Sequence, residues 1–287
     1  VFNLLEVLKE VQYLKQYKKK IKEWNISKWM IDQIEGDFNP YIKKGFNRKS
    51  LDEALNTPFA YAQLYKLKDG LLIPAPTYDK TCAAAGLILK GHQSWGLPEI
   101  DIVINQTDGI KSVSSDTTNR GPILTMAKDN TINGIVLFYT FDAFHEGPIH
   151  EDVQNDKTPW SQKKEQLIWR GVPSDTIDNW GLCRYDETNW KNFQRGKLVD
   201  LSFKNPELIN ARFSDYSWHT FDNMKKFFND INAMGDHLSK ADQIQYKYQI
   251  YPDGNVSTYS GIQCRLYSGS ILFKIESHHL QWFESGL

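Results

Sequence analysis

Three short segments carry residue types that could do chemistry, and each follows an apolar run. The first is Asn105-Gln106-Thr107-Asp108-Gly109, behind Ile100-Asp101-Ile102-Val103-Ile104. In open α/β sheets ligands bind beyond the carboxyl ends of the strands, so a carboxylate at such an end is well placed for general-base work. The same aspartate could equally do no more than shape a turn before Gly109. The second segment is Trp169-Arg170-Gly171-Val172-Pro173-Ser174, behind Gln166-Leu167-Ile168. A guanidinium offers phosphate oxygens a fixed fork of donors, Gly171 lets backbone approach a ligand, and Ser174 could cap a helix or donate to phosphate. An arginine after a buried tryptophan can equally be one half of a structural ion pair. The third segment runs from Tyr246 and Lys247 through Tyr251 into the polar loop Asp253-Gly254-Asn255, with Ser257 and Tyr259 beyond it. A helix and a strand, Ser270 to Ile275 with Lys274, follow. This is the layout of a nucleotide-binding half, with helix N-terminal amides facing an anion; the plain alternative is a tight hairpin whose Asp-Gly serves only the turn.

Positioning such residues requires strands that end together. Tyr65-Lys66-Leu67-Lys68, Asp69-Gly70 and Leu71-Leu72-Ile73 read as a hairpin with its turn. Further strands are predicted over Ile100 to Ile104, Gly134 to Phe141, Gln166 to Trp169, Lys197 to Asp200, Tyr248 to Tyr251 and Ile271 to Ile275. Helical patterns cover Phe221 to Met234 and Gly261 to Tyr267. Nearer the start, Leu4, Leu5, Leu8, Val11 and Leu14 give an amphipathic helix, followed by the lysine run Tyr17 to Lys22, a solvated face or a contact for phosphate or an acidic partner. A second helix is predicted over Ser27 to Ile34, and a third from Ser50, where Ser-Leu-Asp-Glu has the capping-box form. Short apolar strands alternating with helices imply an α/β protein with largely parallel sheets. Phe144 to Trp160, rich in Pro, Gly, Asp, Asn and His, reads as a linker. It divides the 287 residues near position 155, into 1–155 and 156–287 with an open sheet in each.

Composition narrows the function. With 40% apolar and 24% charged residues the chain is globular. Its 34 basic residues against 35 acidic ones argue against a dedicated nucleic-acid binder. No apolar run reaches the roughly 18 residues of a membrane helix, and the N-terminus lacks the regions of a secretory leader, so a cytoplasmic protein that is not integral to a membrane is expected. The three scattered cysteines, Cys82, Cys183 and Cys264, suit a reducing compartment. On that reading the sequons at Asn25, Asn105 and Asn255 are chance matches. There is no Walker loop, G-x-G-x-x-G, H-E-x-x-H or paired Cys/His set. Nor is there an Asp-x-Asp pair to hold a metal against a diphosphate, so a bound diphosphate would be neutralised by side-chain cations and backbone amides. The 9 Trp and 14 Tyr would suit stacking on sugar rings, which keeps a lectin open.

Taken together and in order, the three segments resemble glycosyltransferase family 90, which includes capsule-associated xylosyltransferases, protein O-glucosyltransferases and lipopolysaccharide-modifying enzymes. The matching residues are Ile102 to Asp108, Pro159-Trp160 with Lys163 or Lys164 leading into Ile168-Trp169-Arg170-Gly171, and Tyr246-Lys247-Tyr248 with Asp253-Gly254-Asn255, continuing through Ser268 to Lys274 and Ser277 to Gln281-Trp282-Phe283. The resemblance runs from about Trp29 to Leu287. It implies a GT-B architecture, two Rossmann-like domains facing across a cleft, and inverting transfer from a UDP-sugar with no cofactor and no essential metal. Glucose or xylose would pass to a hydroxyl of a glycan, lipopolysaccharide or protein. Asp108 would fall on the general base, and Trp169, Arg170, Gly171 and Ser174 on the segment contacting the diphosphate. Lys247, Asp253, Asn255, Ser257, Tyr259, Ser270 and Lys274 would lie in the donor half. One departure is that secretory-pathway members place an arginine about seven residues after the Asp-Gly; here Tyr259-Ser260-Gly261-Ile262 stands there, and the nearest arginine is Arg265. This resembles the bacterial or viral branch. Family members also continue past the Gln-Trp-Phe segment, so the chain is expected to be part of a longer polypeptide with its second domain cut short. A non-catalytic glycan- or nucleotide-binding module of the same fold is the alternative.

Overall fold

A computed structural model describes residues 27–56, 61–76, 79–110, 120–132, 134–138, 153, 155–174, 186–216, 220–254, 256 and 261–286. The expected first helix, the lysine run, most of the expected linker and the site candidates Asn255, Ser257 and Tyr259 lie outside them. Helix α1 (Lys28–Lys44) leads into α2 (Arg48–Leu55). Strands β1 (Ala62–Lys68) and β2 (Leu71–Ile73) form the expected hairpin, with Asp69 and Gly70 both left-handed at φ 51 and 73. That is the backbone an Asp-Gly pair accepts most readily. After α3 (Asp79–Trp95) come β3 (Ile100–Asn105), β4 (Ile123–Thr125), β5 (Ala127–Asp129) and β6 (Ile135–Leu137). The first sheet has the order β2-β1-β3-β4-β6. It is less parallel than expected: β3, β4 and β6 run together, but β1 is antiparallel to both β2 and β3.

β3 shows why its sequence is apolar throughout. Side chains alternate across a strand, so Ile102 and Ile104 pack with Tyr65, Leu67 and the Ala84, Ala85 and Ile88 face of α3. Val103 packs on the other side with Leu51, Ala54, Ile123 and Ile135. Both faces are covered, and each buried aliphatic side chain contributes about 1.5–3 kcal/mol.

The second sheet is built from β7 (Lys164–Gly171), β8 (Ile209–Phe213), β9 (Tyr246–Tyr251) and β10 (Ile271–Lys274), in the order β10-β9-β7-β8 and wholly parallel. Helices α4 (Gln194–Lys204), α5 (Asp222–Asp230), α6 (Lys240–Gln243) and α7 (Gly261–Tyr267) connect these strands. Trp169, Trp190, Leu198, Val199, Phe213 and Phe228 form its core. Finally β11 (His279–Gln281) leaves this sheet and pairs antiparallel with β5, while Trp282 stacks on Trp29 of α1 with ring centroids 5.8 Å apart. The molecule is therefore mixed α/β with several sheets.

The sequence reading gives no α3, β4, β5 or β11, and several further elements differ from expectation. Lys197 to Asp200 is not a strand but lies within α4; a short apolar run reads alike in a buried strand and a buried helix. β8 falls in a stretch with Asn210 and Arg212 amid its apolar residues, which hid it. α2 is capped by Asn47, with Ser50 at its third position returning the hydrogen bond, so the capping box starts three residues earlier than predicted. α1 runs ten residues beyond Ile34, through Pro40, held by a buried Lys128–Asp37 ion pair at 2.5 Å whose other carboxylate oxygen accepts from Leu137 N.

Candidate active site

In the second sheet the strand order reverses between β7 and β9, and the crevice at such a switch point, beyond the carboxyl ends, is where ligands bind. Arg195, on the first turn of α4, spans it. Its Nε donates to Asp253 O at 2.8 Å, and its Nη1 donates to Val172 O at 2.9 Å and Ser174 Oγ at 2.6 Å. One guanidinium thus ties the loop after β7 to the loop after β9. Its position follows from local packing. Gly196 lies so close to the Trp190 carbonyl that no Cβ fits there, and the Arg195 guanidinium rests 5.8 Å from the ring centre of buried Trp169. A Cβ on Gly254 would come within 2.7 Å of Arg195 Nη2 and 3.3 Å of Ser174 Oγ. The Asp-Gly of the third motif is there for this close approach.

Arg265 of α7 converges on the same strand end. It lies over the Tyr251 ring at 5.8 Å and donates from Nη2 to Gln243 Oε1 at 3.4 Å, while its Nε is buried without a hydrogen-bond partner. Gly261 leaves room for Nη1. Burial chiefly, and the like charge of Arg195, push its pKa below arginine's ordinary value, against the opposing pull of Tyr251 and Cys264. Among the described residues no carboxylate contacts it. Two neighbouring guanidinium cations can together take an anion.

Asp253 is 2% exposed. Its Oδ2 accepts from Ser277 Oγ and lies 3.4 Å from His279 Nδ1; its Oδ1 is buried with no partner. Burial works to raise its pKa, but the hydrogen bonds from His279 and Ser277 and the charge of Lys274 outweigh it and hold the group below its usual value. It is ionised at neutral pH. Its backbone N–H donates to Gln194 Oε1 at 3.2 Å.

Asp108 stands half-buried at the end of β3. The turn is closed by Asn105, whose Nδ2 donates to Thr107 O at 3.2 Å and Thr125 Oγ1 at 3.1 Å, and whose Oδ1 accepts from Thr107 Oγ1 at 3.0 Å. Asn105 is 1% exposed, so its sequon lies inside the protein. A Cβ on Gly109 would meet Ala127 O at 2.8 Å. Ile110 bonds to both ends of β5, donating to Ala127 O and accepting from Asp129 N, each at 3.0 Å. Since β5 also pairs with β11, a hydrogen-bonded path runs from the Asp108 loop through β5 and His279 to Asp253.

Of the candidates read from sequence, Trp169, Gly171, Ser174, Asp253 and Lys274 gather at or directly under this crevice. Arg170 is turned away: Nε donates to Asp236 O at 3.1 Å, Nη1 to Trp169 O and Asn210 O, and Nη2 to Asn210 Oδ1, the last three at 2.9 Å. Its guanidinium fastens β7 to β8. Lys247, beside Glu165 at 3.6 Å, and Ser270, donating to Tyr246 O at 2.7 Å, stand at the opposite, amino-terminal end of the sheet. Arg195 and His279, which the structure brings to this strand end, are not among the candidates read from sequence. Reading Lys197 to Asp200 as a strand puts Arg195 at an amino end, far from the crevice; an arginine on the first turn of the helix after the first parallel strand is the signal that would have found it. Among the described residues no group of three His, Cys, Asp or Glu could hold a metal ion, and no helix is long and apolar enough to cross a membrane.

Comparison with known proteins adds the family. A family model described as glycosyl transferase family 90 matches residues 29–287. Protein O-glucosyltransferase 2 of Danio rerio is 24% identical over 200 residues, covering 67% of this chain and 35% of the relative. O-glucosyltransferase rumi of Drosophila pseudoobscura pseudoobscura is 25% identical over 237 residues, covering 75% of this chain and 51% of the relative. The chain thus spans about a third to a half of the length of these relatives.

Proposed function

The chain belongs to glycosyltransferase family 90, and on that premise we propose that it transfers a sugar from a UDP-sugar to an acceptor hydroxyl with inversion, in a GT-B arrangement of two Rossmann-like units divided near residue 155. Asp108 takes the proton of the acceptor hydroxyl as that oxygen bonds to the anomeric carbon. The bond from the anomeric carbon to the β-phosphate oxygen breaks, and its electron pair leaves with UDP. Preorganised cations aimed where that charge develops lower the barrier. Arg195 and Arg265 fill this role, with the Ser174 hydroxyl beside them and Lys274 behind; Arg170 serves the fold. The names of the two relatives support glucose as the sugar and, for the zebrafish protein, a protein hydroxyl as acceptor.

The observation that carries this reading is the convergence of Arg195 and Arg265, with a buried unmet N–H, at the switch point of a parallel sheet. Two guanidinium cations neutralise a diphosphate without a metal. The test is UDP release from a panel of UDP-sugars in the presence of EDTA, alongside a thermal shift with UDP. Release from at least one sugar nucleotide, and stabilisation by about 2.7 kcal/mol at 100 times the dissociation constant, are expected. A thermal shift without release would favour the non-catalytic module, and neither response would overturn donor binding.

A further inference from the structure

Asp253 presents a charge problem that the diphosphate does not solve. Its carboxylate is almost fully buried, one oxygen is fixed by Ser277 and His279, and the other has no hydrogen-bond partner. A buried acceptor without a donor carries its full desolvation penalty. An ionised carboxylate only accepts hydrogen bonds, so phosphate oxygens, which are anions and acceptors themselves, are repelled from it. Yet it lies on the same loop that presents its own backbone oxygen to Arg195, at the same strand end as Arg265. A ligand entering at this strand end with its negative part against the arginines can bring a hydroxyl to Asp253.

We propose that Asp253 is the hydroxyl-recognising carboxylate of the donor site: its Oδ1 accepts from a hydroxyl of the bound nucleotide sugar, on the ribose or on the sugar being transferred. Ser277 and His279 are positioning residues. Both act on Oδ2, and the Ser277 hydroxyl also accepts from His279 N at 2.9 Å, which sets the chain between β10 and β11 against the carboxylate. This assignment rests on the donor reading above.

The experiment is calorimetric binding of UDP, 2′-deoxy-UDP, 3′-deoxy-UDP and UDP-glucose to the full chain and to Asp253→Asn. If the hydroxyl is on the ribose, the wild type loses about tenfold or more in affinity for one deoxy analogue. Asp253→Asn then weakens UDP by a similar factor and no longer distinguishes that analogue from UDP. If it is on the transferred sugar, Asp253→Asn leaves UDP unchanged and weakens UDP-glucose about tenfold. Wild-type affinities for both UDP and UDP-glucose in Asp253→Asn would overturn the proposal, as would equal weakening of UDP and its deoxy analogues. Failure of the wild type to bind any of the four ligands would instead remove the donor reading. Should Asp253→Asn not fold, Ser277→Ala carries the same test: the affinity that depends on the hydroxyl falls and Ser277→Thr restores it, whereas unchanged discrimination in Ser277→Ala overturns the assignment.

Discussion

The loop carrying Asp108 is held mainly by the strands beside it: Asn105 bonds to Thr107 and Thr125, Gln106 to Gln63 and Tyr65 of β1, and Ile110 to β5. The loop carrying Asp253 is held almost entirely from elsewhere: Gln194 and Arg195 come from 58 to 59 residues upstream, and Ser277 from 24 residues downstream. A loop held by the strands beside it keeps its shape when other elements change. A loop assembled by other elements reports on all of them. On the proposed function, proton transfer falls to the first loop and donor binding to the assembled one.

The largest effect on donor binding should come from the arginines. Arg265→Met removes one of the two charges and should weaken UDP binding by about 10- to 100-fold, the worth of a charge-assisted hydrogen bond, measured by calorimetry. Arg170→Met should leave UDP affinity unchanged in the folded protein but lower thermal stability, because it releases β8 and Asp236 O. If Arg170→Met loses UDP as strongly as Arg265→Met, the assembled crevice has been assigned to the wrong side of β7.

Gly109→Ala should act first on the Asp108 loop. The new methyl must displace the Ala127 carbonyl, costing about 1–3 kcal/mol and lowering Tm. Turnover should fall more than donor affinity, because β5 is joined to the Asp253 loop through β11; a loss of donor affinity larger than the loss of turnover would contradict the assignment.

The smallest effect concerns neither loop. Lys163, only 5% exposed, donates to Asp156 Oδ2 at 2.9 Å, to Ser268 O at 3.1 Å and to Ile244 O, clamping the amino-terminal side of the second sheet. Burial acts to raise the Asp156 pKa, but hydrogen bonds from Thr158 and Lys163 outweigh it and bring the group from 3.8 down to about 2. A depressed carboxylate stabilises the folded state above its unfolded pKa, and that contribution is lost as pH falls through the folded value. Tm should therefore decline between about pH 4 and pH 2, and Lys163→Met should reduce this component, leaving the part due to Thr158, with UDP affinity at neutral pH unchanged.

The same contrast between local and assembled structure governs what the sequence made legible. The Asp69-Gly70 hairpin, β3 with its aspartate, β7, β9 and β10 were all readable, because each combines an apolar run with a turn residue adjacent in the chain. The family was readable from three ordered motifs. The meeting of Arg195 and Arg265 was not. The two arginines sit on helices, 70 residues apart, and meet only because β7 and β9 are neighbours in a sheet whose order departs from chain order. Arg170 was singled out because it adjoins the right strand end, but alternation along β7 turns its side chain to Asn210. His279 gave no local signal, since its partner Asp253 is reached only when β11 crosses back to β5.

The central claim is that Asp108 does the chemistry while the carboxyl end of the second sheet binds the donor. Steady-state turnover of UDP-glucose by Asp108→Asn, with donor affinity measured by calorimetry on the same preparation, tests it most directly. The account expects kcat to fall about 100-fold or more with the donor Kd unchanged. Retained turnover, or a parallel loss of donor affinity, would contradict it.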